Sequence, residues 1–138
     1  MNETKKPLPR IGPDTAAFWA GAREGKLRLP FCAACGRAHW PAGPVWPYCF
    51  SDDLVWREAS GRGRISTFTV VHKAWFPAFA ADIPYNVIQV ELDEGPRLTA
   101  NLIDVPLDGP RIGLRVEAVF DAVTAEVTLP RFRPLSVA

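Results

Sequence analysis

The chain reads as a mainly β protein in three pieces: a short N-terminal helix, a cysteine ribbon and a barrel of five short strands. Three observations point there. A C-x-x-C-G turn, Cys32-Ala-Ala-Cys35-Gly36, is followed about a dozen residues on by half of a second such turn. Beyond residue 59 the chain becomes a series of short alternating apolar segments separated by Gly, Pro and Asp. Ahead of both, residues 15–24 carry a helix start and a helix stop.

At 138 residues there is chain enough for one hydrophobic core or two very small units, and the 48% hydrophobic content is that of a globular protein. Sixteen basic residues against fifteen acidic ones leave no field to draw nucleic acid or an anionic membrane. The start, MNETKKPLPRIGPD, is polar and broken by proline, and no segment is apolar enough to span a bilayer, so a cytoplasmic protein is expected. Fourteen prolines and five tryptophans suggest extended, aromatic-lined loops able to form a contact surface.

Taken in order, residues 1–25 are an arm and a helix. Pro7, Pro9 and Pro13 remove donors and fix φ every few residues, which keeps the arm extended. Asp14 reads as an N-cap, Phe18, Trp19 and Ala22 share one face, and Gly25 stops the helix. So short a helix is marginal alone. Its aromatic pair must bury against the core or a partner chain, and a partner is the preferred expectation.

Residues 26–58 form the ribbon. Leu27 and Leu29 alternate with charge in a strand over 26–31, the knuckle loop is kept extended by Pro41, Pro44 and Pro47, and Leu54-Val55-Trp56 closes the ribbon. Ala59-Ser60-Gly61-Arg62-Gly63 is a turn-rich break that opens the third piece, 59–138.

In that piece, strands are expected over 65–72, 85–92, 98–103, 113–120 and 126–129. Ile65, Thr67, Thr69 and Val71 should share one face of the first, with Phe68 and Val70 on the other. Small antiparallel sheets must protect their edges, so five such strands suit a closed or nearly closed oligonucleotide/oligosaccharide-binding (OB) barrel, with a small sandwich as the alternative. One connection is long: residues 73–84 join the first two strands where a hairpin needs about two to five residues. Trp75, Phe76 and Phe79 on it make a lid over the barrel end or an interface hot spot.

The chemistry concentrates in residues 31–54, FCAACGRAHWPAGPVWPYCFSDDL. Cys32 and Cys35 have the spacing of a rubredoxin-type metal knuckle, with Gly36 supplying backbone freedom. Trp46-Pro47-Tyr48-Cys49 has the shape of C-P-x-C with its first sulfur replaced by an indole. Zinc in a structural site takes about four ligands, so Cys32, Cys35 and Cys49 leave a position open or leave no site. Three readings stand. The cysteines are buried small hydrophobes, in an ordinary core or in a ribbon that has lost its metal. Or zinc is retained with a further ligand, His39 or the oxygens of Asp52 and Asp53. A disulfide is disfavoured by the odd cysteine count.

Elsewhere no nucleophile has a base beside it: His39 and His72 sit in no Ser, Cys or carboxylate constellation. Gly61-Arg-Gly63 is too short for a phosphate loop, and the carboxylates Asp52-Asp53, Glu91/Asp93/Glu94 and Asp104/Asp108 read as turns and solvated faces. An enzyme acting alone is the poorer hypothesis. Single-strand binding would call for aromatic platforms in a basic groove, which this pattern lacks. Arg62, Arg64, Lys73, Arg131 and Arg133 are enough for a local phosphate contact.

In combination, Pro13-Asp14-Thr15 with Phe18-Trp19, Gly25-Lys-Leu27, Cys32-Ala-Ala-Cys35-Gly36, the proline-rich knuckle, Ser60-Gly-Arg-Gly63, Phe68-Thr69-Val70, Leu92-Asp-Glu-Gly95-Pro-Arg-Leu98 and Ile112-Gly-Leu resemble the acyl-CoA-associated zinc-ribbon/OB-fold family over nearly the whole chain. Members of that family are small, usually non-catalytic subunits of thiolase-fold enzymes: acyltransferases, thiolases and steroid side-chain aldolases. The resemblance implies an N-terminal helix, a rubredoxin-like ribbon and a C-terminal OB barrel. It further implies a thiolase-like partner that carries the catalytic residues, and a coenzyme A thioester as shared ligand of the complex. The family's zinc ligands fall on Cys32, Cys35, Trp46 and Cys49, with Trp46 the departure, which makes the ribbon degenerate. The expected interface is residues 73–84 with the helix, through Phe18, Trp19, Trp75, Phe76 and Phe79. The competing class, a stand-alone OB module binding single-stranded nucleic acid or another ligand, is disfavoured by the near-neutral charge.

Overall fold

The computed structural model describes residues 6–41 and 53–135. The one α-helix among the described residues, α1 (Ala16–Arg23), ends as the glycine predicts: Gly25 takes φ +75°, its N–H bonds to Ala22 O, and Lys26 N–H returns to Gly21 O. The start differs. Thr15 occupies the N-cap position without a side-chain bond to the helix, and its Oγ1 instead accepts from Gly12 N–H at 3.2 Å. The interface expectation for Phe18 is corrected here. Phe18 is buried in the chain's own core, its ring 4.2 Å from that of Trp40, and Trp19 packs edge-on at 5.0 Å, half-buried against the same core. A ribbon tryptophan distant in sequence covers the face that looked unpartnered.

The ribbon contributes an antiparallel pair, β1 (Arg28–Cys32) and β2 (Leu54–Glu58), in register from Arg28↔Glu58 to Cys32↔Leu54. The third piece is a five-stranded antiparallel sheet: β3 (Arg62–Val71), β4 (Tyr85–Leu92), β5 (Arg97–Ala100), β6 (Arg115–Ala122) and β7 (Thr128–Pro134), in the order β5-β4-β3-β6-β7. The sheet curls until its ends meet. Past β5 the chain forms a parallel bridge, Leu102↔Phe132, in which Phe132 N–H bonds Asn101 O at 3.0 Å and Ile103 N–H bonds Phe132 O at 2.8 Å. This is the strand order and closure of an OB barrel.

Strand β4 covers the expected range and alternates half-buried and buried residues from Val87 to Leu92. Strand β3 departs from the expected faces. Ile65 pairs with Val90 and Thr67 with Gln89, so Ser66 is an inserted bulge residue, held by bonds from its hydroxyl to Gln89 O and Oε1 at 3.0 and 3.1 Å. The bulge shifts the phase by one. Phe68 and Val70, opposite Ile88 and Asn86, therefore share the face of Ile65, and Thr67, Thr69 and Val71 turn away from it.

One hydrophobic cluster holds the pieces together: Phe18 from α1, Leu27 and Leu29 from the ribbon side, and Ile65, Ile88, Val90, Leu92, Leu98, Val116 and Phe132 from the sheet. At Gly63 the backbones of β3 and β4 come so close that a Cβ would overlap the Glu91 carbonyl oxygen and lie 2.7 Å from Val90 Cγ1. Among the described residues no helix is long and apolar enough to cross a membrane.

Candidate functional site

The first knuckle forms as its sequence requires. Strand β1 runs straight into Cys32, which is buried, and the chain then turns so that Cys35 N–H points at Cys32 Sγ at 3.4 Å and Gly36 N–H at Cys32 O at 2.7 Å. Gly36 takes φ +76°, a conformation that costs a side chain but not glycine. The loop is anchored by Cys32 N–H to Arg37 O, by Ala33 N–H to Asp53 O and by the bridge Phe31↔Ala38. This half of the ribbon fits a metal knuckle. Cys35 is exposed, and Cys49, Trp46 and Asp52 lie outside the described residues.

Among the described residues no three His, Cys, Asp or Glu side chains converge on a metal position, and Cys49 of the expected ligand set lies outside them. His39 lines a hollow with Phe31, Arg37, Trp40 and the 94–97 turn, its backbone N–H bonded to Pro30 O, and burial lowers its imidazole pKa and favours the neutral ring.

The five cations expected at phosphate divide into groups. Arg62, Glu117 and Arg133 make one cross-strand row, with Arg64 two residues further along the same face of β3. Most are already paired: Arg64 with Glu91 at 3.0 Å, Arg133 with Glu117 at 2.9 Å, and Arg131 with Asp121 and Asn101, both at 2.9 Å. Lys73 lies over the Trp75 ring at 4.3 Å. Sequence reasoning missed Arg115, which grips Asp93 through both guanidinium nitrogens at 2.8 and 3.1 Å. That hydrogen bonding holds the Asp93 carboxyl below its ordinary range, with the charges of Arg115 and Arg62 adding to it. Cross-strand neighbours of this kind have no sequence signal, since they depend on register.

Residues 73–84 are built, not slack. A turn of 3-10 helix, Pro77–Phe79, sits at the centre, and the N-terminal arm straps it: Lys6 Nζ bonds Asp82 at 2.6 Å and lies 5.6 Å from the Phe79 ring centre. Phe79 turns inward, half-buried, with its ring 6.2 Å from both Phe76 and Tyr85. Trp75 and Phe76 are left 69% and 54% exposed, more than any other large aromatic described. Of the aromatic residues expected at an interface, these two present their rings to solvent, whereas Phe79 serves mainly to shape the loop.

A single helix, a rubredoxin-like knuckle and an OB sheet sharing one core, with a strapped aromatic loop, define a small ribbon-plus-barrel scaffold. The chain belongs to the ChsH2/DUF35 family: residues 19–55 match the family's "ChsH2, rubredoxin-like zinc ribbon domain" and residues 56–121 its "ChsH2, C-terminal OB-fold domain". It is 39% identical over 129 residues to a probable enoyl-CoA hydratase alpha subunit of Thermomonospora curvata, covering 94% of this chain and 40% of that protein. It is 35% identical over 91 residues to a DUF35 domain-containing scaffold protein of Methanocaldococcus jannaschii, covering 64% and 63% respectively. This chain therefore spans less than two thirds of either relative. Among solved structures it is similar to a chain of the Ltp2-ChsH2(DUF35) aldolase, with a TM-score of 0.82 and 38% identity over 92% of this chain and 98% of that one.

Proposed function

We propose that the chain is a non-catalytic accessory subunit of a thiolase-like acyl-CoA enzyme, working in the cytoplasm and docking its partner through residues 73–84. The observation that carries this is the exposed Trp75–Phe76 pair, held on a strapped loop in a fold that matches a chain of the Ltp2-ChsH2(DUF35) aldolase. Exposed aromatics on a pre-shaped loop lose little entropy on binding and supply most of an interface's energy. Arg62 and, once a phosphate displaces Glu91 and Glu117 from them, Arg64 and Arg133 on the same face support a role in holding the phosphates of a coenzyme A thioester shared with the partner. In this reading the reaction chemistry belongs to the partner.

The test is co-purification from the native host. A thiolase-fold protein recovered at fixed stoichiometry supports the reading; nucleic acid recovered with no protein partner sinks it. Trp75→Ala combined with Phe76→Ala should weaken that complex by about a thousandfold, at roughly 2 kcal/mol for each anchor, as measured by titration calorimetry. A complex of undiminished affinity would move the interface elsewhere.

Zinc is proposed in the ribbon on Cys32, Cys35 and Cys49, held weakly because Trp46 offers no sulfur. Trp46→Cys should convert sub-stoichiometric metal to one zinc per chain after dialysis, read by elemental analysis, and Cys35→Ser should lose it. Equal zinc in wild type and Trp46→Cys would count against position 46 as the ligand position.

A further inference from the structure

We infer that the cleft at the mouth of the barrel is a binding site for an uncharged, largely apolar small molecule bearing one hydrogen-bond acceptor. The inference stands on this chain's geometry and is independent of the accessory-subunit reading.

Position is the first argument. OB barrels take ligands on their second and third strands and on the loops joining strands one to two and four to five. Here these are β4, β5, residues 72–84 and the β6–β7 turn. A cleft of about 1150 Å³ opens there, walled by Phe79 and Pro84 from the first loop, Val123 and Thr124 from the second, and Tyr85 and Leu102 between them. The N-terminal arm closes one side with Leu8.

The lining decides the chemistry. An oligonucleotide site needs cations free for phosphate and bases stacked on rings. This cleft has as many acids as bases, and each is bonded within the wall: Lys6 to Asp82 at 2.6 Å, Arg131 to Asp121 at 2.9 Å. An anion entering it would meet no unpaired cation. The amides are likewise occupied: Asn86 exchanges bonds with the Leu102 backbone, and Asn101 donates to Asn86 O and accepts from Arg131. Around them Leu8, Phe79, Leu102, Val105, Leu107 and Leu129 supply apolar wall.

One polar group is left over. Tyr85 lines the cleft, half-buried, and its hydroxyl has no hydrogen-bond partner among the described residues. A phenol in an apolar wall donates to a carbonyl or hydroxyl oxygen, so the ligand is an apolar body with such an oxygen.

The experiment uses the full chain and a neutral fluorophore, N-phenyl-1-naphthylamine, displaced by 2-undecanone, by undecanoate or by a single-stranded oligothymidine. Saturable binding to one site is expected, with the ketone displacing the probe at least about tenfold more effectively than the carboxylate and the oligonucleotide not displacing it. Leu107→Glu with Val123→Asp places charge at two rim positions that are 41% and 40% exposed, so the fold tolerates it, which circular dichroism checks; probe affinity should fall by about tenfold or more. Tyr85→Phe should weaken the ketone several-fold and leave the probe unchanged. Absent saturable binding, probe affinity unmoved by the rim charges, equal displacement by carboxylate or oligonucleotide, or a ketone indifferent to Tyr85→Phe would each overturn the assignment.

Discussion

Gly63→Val is expected to yield no stable folded protein. At that point β3 pairs with Leu92 of β4 on one side and Val116 of β6 on the other, so neither neighbour can withdraw without opening the sheet. The Cβ of any other residue would overlap the carbonyl oxygen of Glu91 and press on Val90, which is fully buried. A flexible side chain could swing aside; a backbone carbonyl inside a ladder cannot. Gly63→Ala carries the same atom and should cost more than about 3 kcal/mol, at the upper end of overpacking penalties. Urea unfolding followed by circular dichroism measures it. An alanine variant within about 0.5 kcal/mol of wild type would show that the strands part more easily than this geometry requires.

Phe132→Ala should lower stability by about 3–5 kcal/mol. Phe132 is the largest fully buried side chain among the described residues, and its backbone makes both hydrogen bonds of the parallel bridge that closes the barrel. Removing the ring leaves a cavity behind the very residue that holds the ends together. Phe132→Leu, which refills most of that volume, should recover more than half the loss. A lowered urea midpoint with an unchanged slope is the expected signature.

Much of this architecture was legible in the chain because local signals agreed. Strand β4 lies over the expected range: its residues alternate from Ile88 to Leu92, and turn residues flank it. The helix stop at Gly25 and the first knuckle at Cys32–Cys35 were readable for the same reason, each being fixed by neighbours along the chain. Strand β7 was read too short. Pro130 and Pro134 with Arg131 and Arg133 resemble a loop, yet β7 lies at the edge of the hydrogen-bonded order, where a missing donor goes unmissed. The Ser66 bulge has no local signal, and it reversed the faces of β3 beyond it.

The site divides the same way. Trp75 and Phe76 announced themselves as apolar rings on a long connection, and both are exposed. Phe18 carried the same signal and is buried, because Trp40 reaches it from a segment that nothing in the helix could specify. The cleft was invisible in sequence. It is assembled from the arm, three connections and three strands, and its selectivity comes from pairings such as Lys6–Asp82 between segments far apart in the chain.

The way β3 meets β6 bears on how the chain acquires its structure. The β3–β4–β5 meander and the β6–β7 hairpin are each made by neighbours in sequence, but β3 and β6 join through a short seam, the ladder pairs Arg62↔Glu117, Gly63↔Val116 and Arg64↔Arg115 with flanking bonds from Ala118 N–H to Gly61 O and from Ile65 N–H to Leu114 O. Each half can therefore zip up early, while docking the halves has to wait for a long chain closure whose entropy nothing local repays. The meeting of the two hairpin units is then the expected rate-limiting event of folding, and substitutions at the Gly63 seam and the Phe132 bridge should act more on the unfolding rate than on the folding rate.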